Sequence, residues 1–330
     1  MIYADQRWIG DHGIGRFARH VLAGLDYRPV PLAGHPAAPL DAWRLAHALS
    51  GLTRNDLFFS PGYNSPLFCN SQFVFTIHDL SHIYCPENSS PLIRLYYATV
   101  MKRACKRALS IFTVSEFTRM QIVDWSGVST EKVLNVGCGV DPTYQPAENY
   151  YGLQFPYLLC VSNRKRHKNE FRVVEAFARA DLSTGMHLVF TGGPTAELAD
   201  CIEHFHITQR VYFAGVVPET ELPSLYRGAE ALVFPSLYEG FGLPILEAMG
   251  CGTPVVTANV TAIFSNEKLT CTHRSRSTLF TVRVSRILNS RFPSSSKPHG
   301  KIHGETHFPS HGPSFPIILS NGILYSVRES

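Results

Sequence analysis

The chain has 330 residues, 45% hydrophobic and 17% charged, a globular composition with room for two domains at ~150 residues each. No apolar run approaches the ~18 residues a membrane helix needs, and Asp5 and Asp11 stand where a secretory signal requires a basic start and an apolar core. Charge is uneven: residues 263–330 hold nine Lys/Arg and three acids within an overall +4, so residues 1–262 carry −2 and give nucleic acid no electrostatic footing.

Short β-rich runs alternate with amphipathic helical stretches, the pattern of α/β units around parallel sheets. In chain order the first half reads as strand MIYAD, helix IGRFARHVLAGL, strands DLFFS and FVFTI, helix 91–108, strand SIFTV, helix EFTRMQIVDW and strand KVLNVG. The proline-bearing stretch DPTYQPAENYYGLQFP (141–156) has little periodicity and reads as an interdomain linker. The rhythm then restarts: strand YLLCVS, helix EFRVVEAFARA, strand HLVFTG, helix TAELADCIEHF, strand VYFAG, helix ELPSLYRGA, strand ALVFPS, helix PILEAMG and strand PVVTAN. The expected layout is a first Rossmann-like domain at 1–145, a second at 156–262 and an atypical Ser/His/Pro/Arg-rich tail at 263–330. Two doubly wound sheets in tandem make a cleft, and ligands in such sheets bind beyond the carboxyl ends of the strands. Within the tail, helical periodicity disappears and the region reads as largely irregular, although TLFTVRVSRIL and FPIILSNGILYSV have the composition of strands. The eight cysteines are dispersed, with no C-x-x-C pair and no zinc spacing, and read as reduced thiols of a cytoplasmic protein.

The most informative segment is SLYEGFGLPILEAMGCGTPVVTAN (236–259). Gly240 and Gly242 allow backbone N–H groups to approach a ligand, and Pro244 sits near the start of a short helix whose positive end faces the ligand edge of the sheet. As ordinary structure, Glu239 and Glu247 are helix-start carboxylates favoured by the dipole. Read functionally, both carboxylates face one cleft, at either end of a bound phosphate.

The string E-G-F-G-L-P-x-x-E-A resembles the E-x7-E signature of retaining glycosyltransferases with two Rossmann-like domains: the GT-B fold, glycosyl transferases group 1, glycosyltransferase family four. GIGRFARHVLAGL resembles the family's first glycine-rich loop and helix, and FTIHDLSHIYCPE its His-Asp strand end. TVSEFTRMQIV and GVSTEKVLNVGCGVDP resemble the close of its first domain. YLLCVSNRKRHKNEFRVVEAFA is similar to the second-domain opening, and VYFAGVVPETELPSLYRGAEALVFPS to the run before the signature. The resemblance is nearly continuous from Met1 to Ala262.

By resemblance, Lys168 with Arg164 or Arg166 would hold the donor diphosphate, where charge grows as the nucleotide leaves. As ordinary structure, RKRHK is a solvated basic loop. Glu239 would contact the transferred sugar, Glu247 the ribose, the backbone of Gly240, Phe241, Gly242 and Leu243 the phosphates, and the backbone near Val216 the nucleobase. Gly15 would bring the first domain's loop to the donor. His78 would sit near the reacting sugar with Asp79 beside it, or be a hydrogen-bonded histidine at a strand end. Glu116 reads as a helix-start carboxylate. No D-x-D occurs, so no metal is expected and no cofactor beyond the substrate, a nucleotide sugar, with GDP-mannose favoured over a UDP-sugar. The expected acceptor is a saccharide or lipid-linked saccharide. The basic helix 91–108, with Tyr96 and Tyr97, reads as a solvated face or as a peripheral contact with the inner face of the cell membrane.

Past TANVTA the family pattern stops. The chain reads IFSNEKLTCTHRS where a Pro-Glu-bearing turn is expected, as an out-of-frame, replaced or lineage-specific terminus would produce, leaving the second domain incomplete. The first reading is therefore a metal-independent, retaining hexosyltransferase of surface polysaccharide assembly. The alternative is a remnant that binds nucleotide sugar without turnover. Epimerases and phosphorylase-type enzymes of the same fold would use other residues at the E-x7-E positions.

Overall fold

The apolar runs become strands because helices cover both faces of each sheet, so Val, Ile, Leu and Phe recur without polar alternation. The computed structural model describes residues 1–258, Ala262, and strands at 316–319 and 324–326. The first sheet takes β1 (Ile2–Ala4), β2 (Arg28–Pro29), β3 (Leu57–Ser60), β4 (Gln72–Thr76), β5 (Ser110–Thr113) and β6 (Val133–Asn135). All six strands are parallel, in the order β2-β1-β3-β4-β5-β6. Around it lie α1 (Gly13–Ala23), α2 (Asp41–Ala48), α3 (Ser81–Tyr84), α4 (Pro91–Tyr96), α5 (Lys102–Arg107) and α6 (Glu116–Ser126). The expected helix 91–108 is present as α4 and α5 joined through a π-turn at Tyr97–Met101, which buries Tyr97 and Met101. Helix α6 starts where Ser115 Oγ accepts the Thr118 N–H at 3.1 Å and ends at Gly127 in the left-handed region, so both caps are written in TVSEFT…WSG.

Three elements of this half were not expected from the sequence, among them the single-turn helix α3. Strand β2 is a two-residue edge strand, exposed and half proline, which leaves no pattern to find. Helix α2 follows a Pro/Gly-rich run and has eight residues, its start at Leu40 carrying no side-chain cap.

The second sheet takes β7 (Tyr157–Cys160), β8 (His187–Phe190), β9 (Val211–Phe213), β10 (Ala231–Phe234), β11 (Val255–Thr257), β12 (Pro316–Leu319) and β13 (Leu324–Ser326). Its order is β13-β12-β11-β10-β7-β8-β9, parallel except for β13 against β12. Helices α7 (Glu170–Arg179), α8 (Ala196–His204), α9 (Leu222–Gly228) and α10 (Leu243–Gly250) pack on it. Strands β12 and β13 come from FPIILSNGILYSV, so the tail is not irregular throughout; TLFTVRVSRIL lies outside the described residues. The 141–156 stretch has no helix or strand, yet it is no loose tether. Tyr144 is buried in the core of the second sheet, with Tyr151, Leu153 and Phe155 packed against it.

Strand order decides where crevices form. In the second sheet β7 is flanked by β10 and β8, so the connections leaving β7 and β10 diverge and open a crevice at their carboxyl ends. In the first sheet the same switch falls between β1 and β3.

Candidate active site

The loop after β7 carries Arg164, Arg166 and Lys168; the loop after β10 carries Glu239 to Gly242. The switch between these strands brings the loops together, although 71 residues separate Lys168 from Glu239. Leu237 N–H donates to the His167 carbonyl at 2.7 Å and Asn169 Nδ2 to the Pro235 carbonyl at 3.3 Å, so the two loops form one wall. On it, Lys168 Nζ lies 2.5 Å from Glu239 Oε1 and over the Phe234 ring.

The other two cations of the loop point elsewhere. Arg164 pairs with Glu170, donates to the Thr191 carbonyl at 2.6 Å and the Gly193 carbonyl at 2.8 Å, and stacks over Phe190 and Phe213. Its planar fork is committed to holding the loop on β8. Arg166 is exposed. Of the three, Lys168 reaches the signature loop.

Helix α10 begins at Gly242, whose φ of +91° is a conformation that L side chains rarely adopt. Glu247, one turn in, is 1% exposed. Its Oε2 accepts the Tyr226 hydroxyl at 2.7 Å, and its Oε1 lies 2.5 Å from Arg16 NH1 of the first domain. Burial, and then proximity to this carboxylate, push the Tyr226 hydroxyl well up. Phe241 packs against the cores of both domains. Val216 is 96% exposed on the loop after β9.

The first domain closes over this wall. Leu80 N–H donates to the Tyr238 hydroxyl at 3.1 Å, which donates to Gln121 Oε1 at 2.6 Å. Asn88 Nδ2 donates to His167 Nδ1 at 2.7 Å, and Thr118 Oγ1 to the Gly240 carbonyl at 3.3 Å. His78 lies at this seam: a Cβ on Gly240 would run into its carbonyl oxygen. Its Nε2 is 2.8 Å from the Pro61 carbonyl, which makes Nε2 the donor and Nδ1 the acceptor nitrogen. Burial lowers its pKa to about 4, so at neutral pH it offers hydrogen bonding and no positive charge. Asp79 Oδ1 accepts the Ser81 N–H at 2.9 Å. Gly15 is buried in the first turn of α1 with its N–H on His12 Nδ1 at 3.0 Å. Glu116 pairs with Arg119 at 2.6 Å on the start of α6, the ordinary helix-start role.

His12, Arg16, Tyr226 and Tyr238 escaped the sequence reading. Arg16 stands in GIGRF and Tyr238 in SLYEGFG, so both lay inside quoted motifs; their cross-domain partners are what the chain order concealed. Among the described residues no group of three or more His, Cys, Asp or Glu side chains is placed to hold a metal, and no helix is long and apolar enough to cross a membrane.

Burial also lowers His167 to about 4. Both histidines are thus neutral when folded and protonate more readily unfolded. Stability is fully present above the ordinary histidine value near 6.5 and is lost as pH falls toward 4, at ~1.4 kcal/mol per pH unit for each group. Urea unfolding between pH 7 and 4.5 is expected to show that decline, reduced in His167→Gln; a flat profile would refute it.

The family Glycosyl transferases group 1 matches residues 149–266, and Glycosyltransferase Family 4 matches residues 8–144. The chain is 32% identical over 204 residues to the O-antigen chain mannosyltransferase B of Escherichia coli, covering 58% of this chain and 54% of the relative. It is 25% identical over 228 residues to the O-antigen chain mannosyltransferase RfbU of Salmonella typhimurium, covering 66% and 60%. The chain therefore spans a little over half the length of these relatives. Sucrose-phosphate synthase from Thermosynechococcus elongatus shares the fold at a TM-score of 0.62 and 19% identity, over 87% of this chain and 89% of that one. The two family descriptions thus divide the two sheets between them: the chain carries a Glycosyltransferase Family 4 domain followed by a Glycosyl transferases group 1 domain, arranged in the GT-B fold.

Proposed function

We propose that the protein transfers a hexose, with mannose favoured, from a nucleotide sugar to a saccharide or lipid-linked saccharide in the assembly of an O-antigen- or capsule-like surface polysaccharide. The observation that carries this reading is the meeting of Lys168 and Glu239 at the switch crevice, beside the N-terminus of α10. The donor diphosphate replaces Glu239 as the partner of Lys168, and the freed carboxylate turns to the hydroxyls of the transferred sugar. Lys168 and the N–H groups at the start of α10 stabilise the departing diphosphate without a metal. Glu247 holds the ribose, and Val216 marks the open base subsite. Support for mannose comes from the names of the O-antigen relatives.

Transfer with retention requires acceptor attack on the face the diphosphate leaves, or a covalent intermediate as in retaining glycosidases. Glu239 is assigned a positioning role and no covalent one, because the carboxylate released from Lys168 is engaged by the hydroxyls of the transferred sugar. A peripheral membrane contact would draw on α4 and α5, which expose Leu92, Leu95, Arg94, Arg103 and Lys106.

Calorimetry with GDP, UDP and ADP, with and without EDTA, tests the site. EDTA-insensitive binding is expected, and Lys168→Ala should weaken it by roughly 1.5–3 kcal/mol, the range for hydrogen bonds to charged groups. Mg²⁺-dependent binding, or none by a folded sample, would overturn the reading. A product of inverted configuration, or a glycosyl adduct on Glu239 by intact-mass analysis, would overturn its mechanism.

A further inference from the structure

Arg16 extends from α1 across the cleft onto the second domain. Its NH1 is 2.5 Å from Glu247 Oε1 and 3.2 Å from the Tyr144 hydroxyl, and its Nε is 3.6 Å from Glu219 Oε1. Burial opposes the charge of Arg16, and Glu247, Tyr144 and Glu219 together more than offset it, leaving the guanidinium pKa raised. One turn along α1, Arg19 NH1 reaches Glu219 Oε2 at 3.0 Å, and His20 Nε2 lies 3.5 Å from Asp141. Three successive polar positions of one helix thus grip the second domain and its connecting segment.

With Arg16 on one oxygen and Tyr226 on the other, both oxygens of Glu247 are engaged. The cavity beside them, lined by Arg16, Phe17, Gly139, Asp141, Leu243 and Glu247 among others, holds about 20 Å³. That is room for a water molecule and far too little for a ribose. At the other end of the loop, Gly240 is pressed against the backbone of His78. A donor therefore enters only after this contact parts.

We infer that Arg16 is a positioning residue that latches the cleft shut through Glu247 and competes with the donor for that carboxylate. This rests on the reading of Glu247 as the ribose-binding group. If the closed form excludes donor, apparent affinity falls by the fraction of molecules that are open, and weakening the latch restores it. A donor contact and a latch then differ in sign. Loss of a contact weakens binding, whereas loss of a latch tightens it.

The experiment uses the full chain, with GDP and UDP as probes and small-angle scattering to read cleft opening without nucleotide. Arg16→Ala is expected to raise the radius of gyration and to tighten nucleoside diphosphate binding about three- to tenfold. Arg16→Lys, which keeps the charge, should restore the closed dimensions and the weaker affinity. Arg19→Ala removes a second cross-cleft pair without touching Glu247 and should open the cleft in the same direction by less, a check should Arg16→Ala fold poorly. Weaker or unchanged nucleotide binding in a folded Arg16→Ala protein, or unchanged dimensions, would overturn the latch. If the wild-type protein binds no nucleoside diphosphate, the donor reading fails separately, and scattering alone then decides whether Arg16 closes the cleft.

Discussion

Replacing Arg7 by Ala is expected to lower the stability of the first domain by about 3–5 kcal/mol, the cost of leaving buried charges without their partner. Arg7 donates to Asp5 through Nε at 2.9 Å and NH2 at 2.7 Å, and to Asp41 through NH1 at 2.7 Å and NH2 at 3.0 Å. Asp5 is 1% and Asp41 4% exposed, and Asn64 Nδ2 adds donations to Asp5 Oδ2 at 2.5 Å and Asp41 Oδ2 at 3.4 Å. The cluster fills the crevice at the first sheet's switch between β1 and β3, the equivalent of the crevice that holds Lys168 and Glu239 in the second. It ties the loop after β1, the start of α2 and the loop after β3 into one unit. The first sheet's switch crevice is thus plugged by a buried cluster of two carboxylates on one arginine, whereas the second's holds the single Lys168–Glu239 pair. Urea unfolding of Arg7→Ala followed through the first domain's transition measures the loss. Adding Asp5→Asn and Asp41→Asn should recover a large part of it, since the orphaned charges are then gone. A loss under about 1 kcal/mol would mean that water reaches the carboxylates.

Gly240→Ala is expected to prevent the cleft from closing again once a donor has entered and to cut glycosyl transfer by about 100-fold, the scale on which a misplacement of about 1 Å acts at a reacting centre. The added Cβ would meet the His78 carbonyl oxygen and the Asp79 Cβ, rigid parts of the facing domain that have no rotamer with which to yield. Neither hydrophobic core includes Gly240, so the melting temperature should change little while small-angle scattering reports an open particle. An alanine variant that still closes and turns over at the wild-type rate would show that the His78 seam is not part of the working geometry.

The strands, helices and E-x7-E loop were legible because their signals are local. MIYAD, DLFFS, YLLCVS and ALVFPS are apolar runs of strand length, and Gly240, Gly242 and Pro244 state a tight turn followed by a helix start within five residues. The tail reading stopped at the same region as the family match, which ends at residue 266. Elements with weak local signals were lost, such as the two-residue edge strand β2 and the uncapped α2. The pairing of charges was lost as well. RKRHK offers four cations of similar appearance, and nothing in their spacing says that Arg164 turns back to Glu170 and the β8 carbonyls while Lys168 turns to Glu239. Arg16 looks in sequence like one more polar residue on an amphipathic helix, and its partner Glu247 is 231 residues away. The sequence by itself determined the two α/β halves, the glycine-bearing turn and the acids of the signature, because backbone preference and apolar period act over a few residues. Which crevice is plugged, which cation faces the cleft and which arginine bridges it were decided only by the tertiary structure, because charge pairing depends on distance in space and strand order sets that distance.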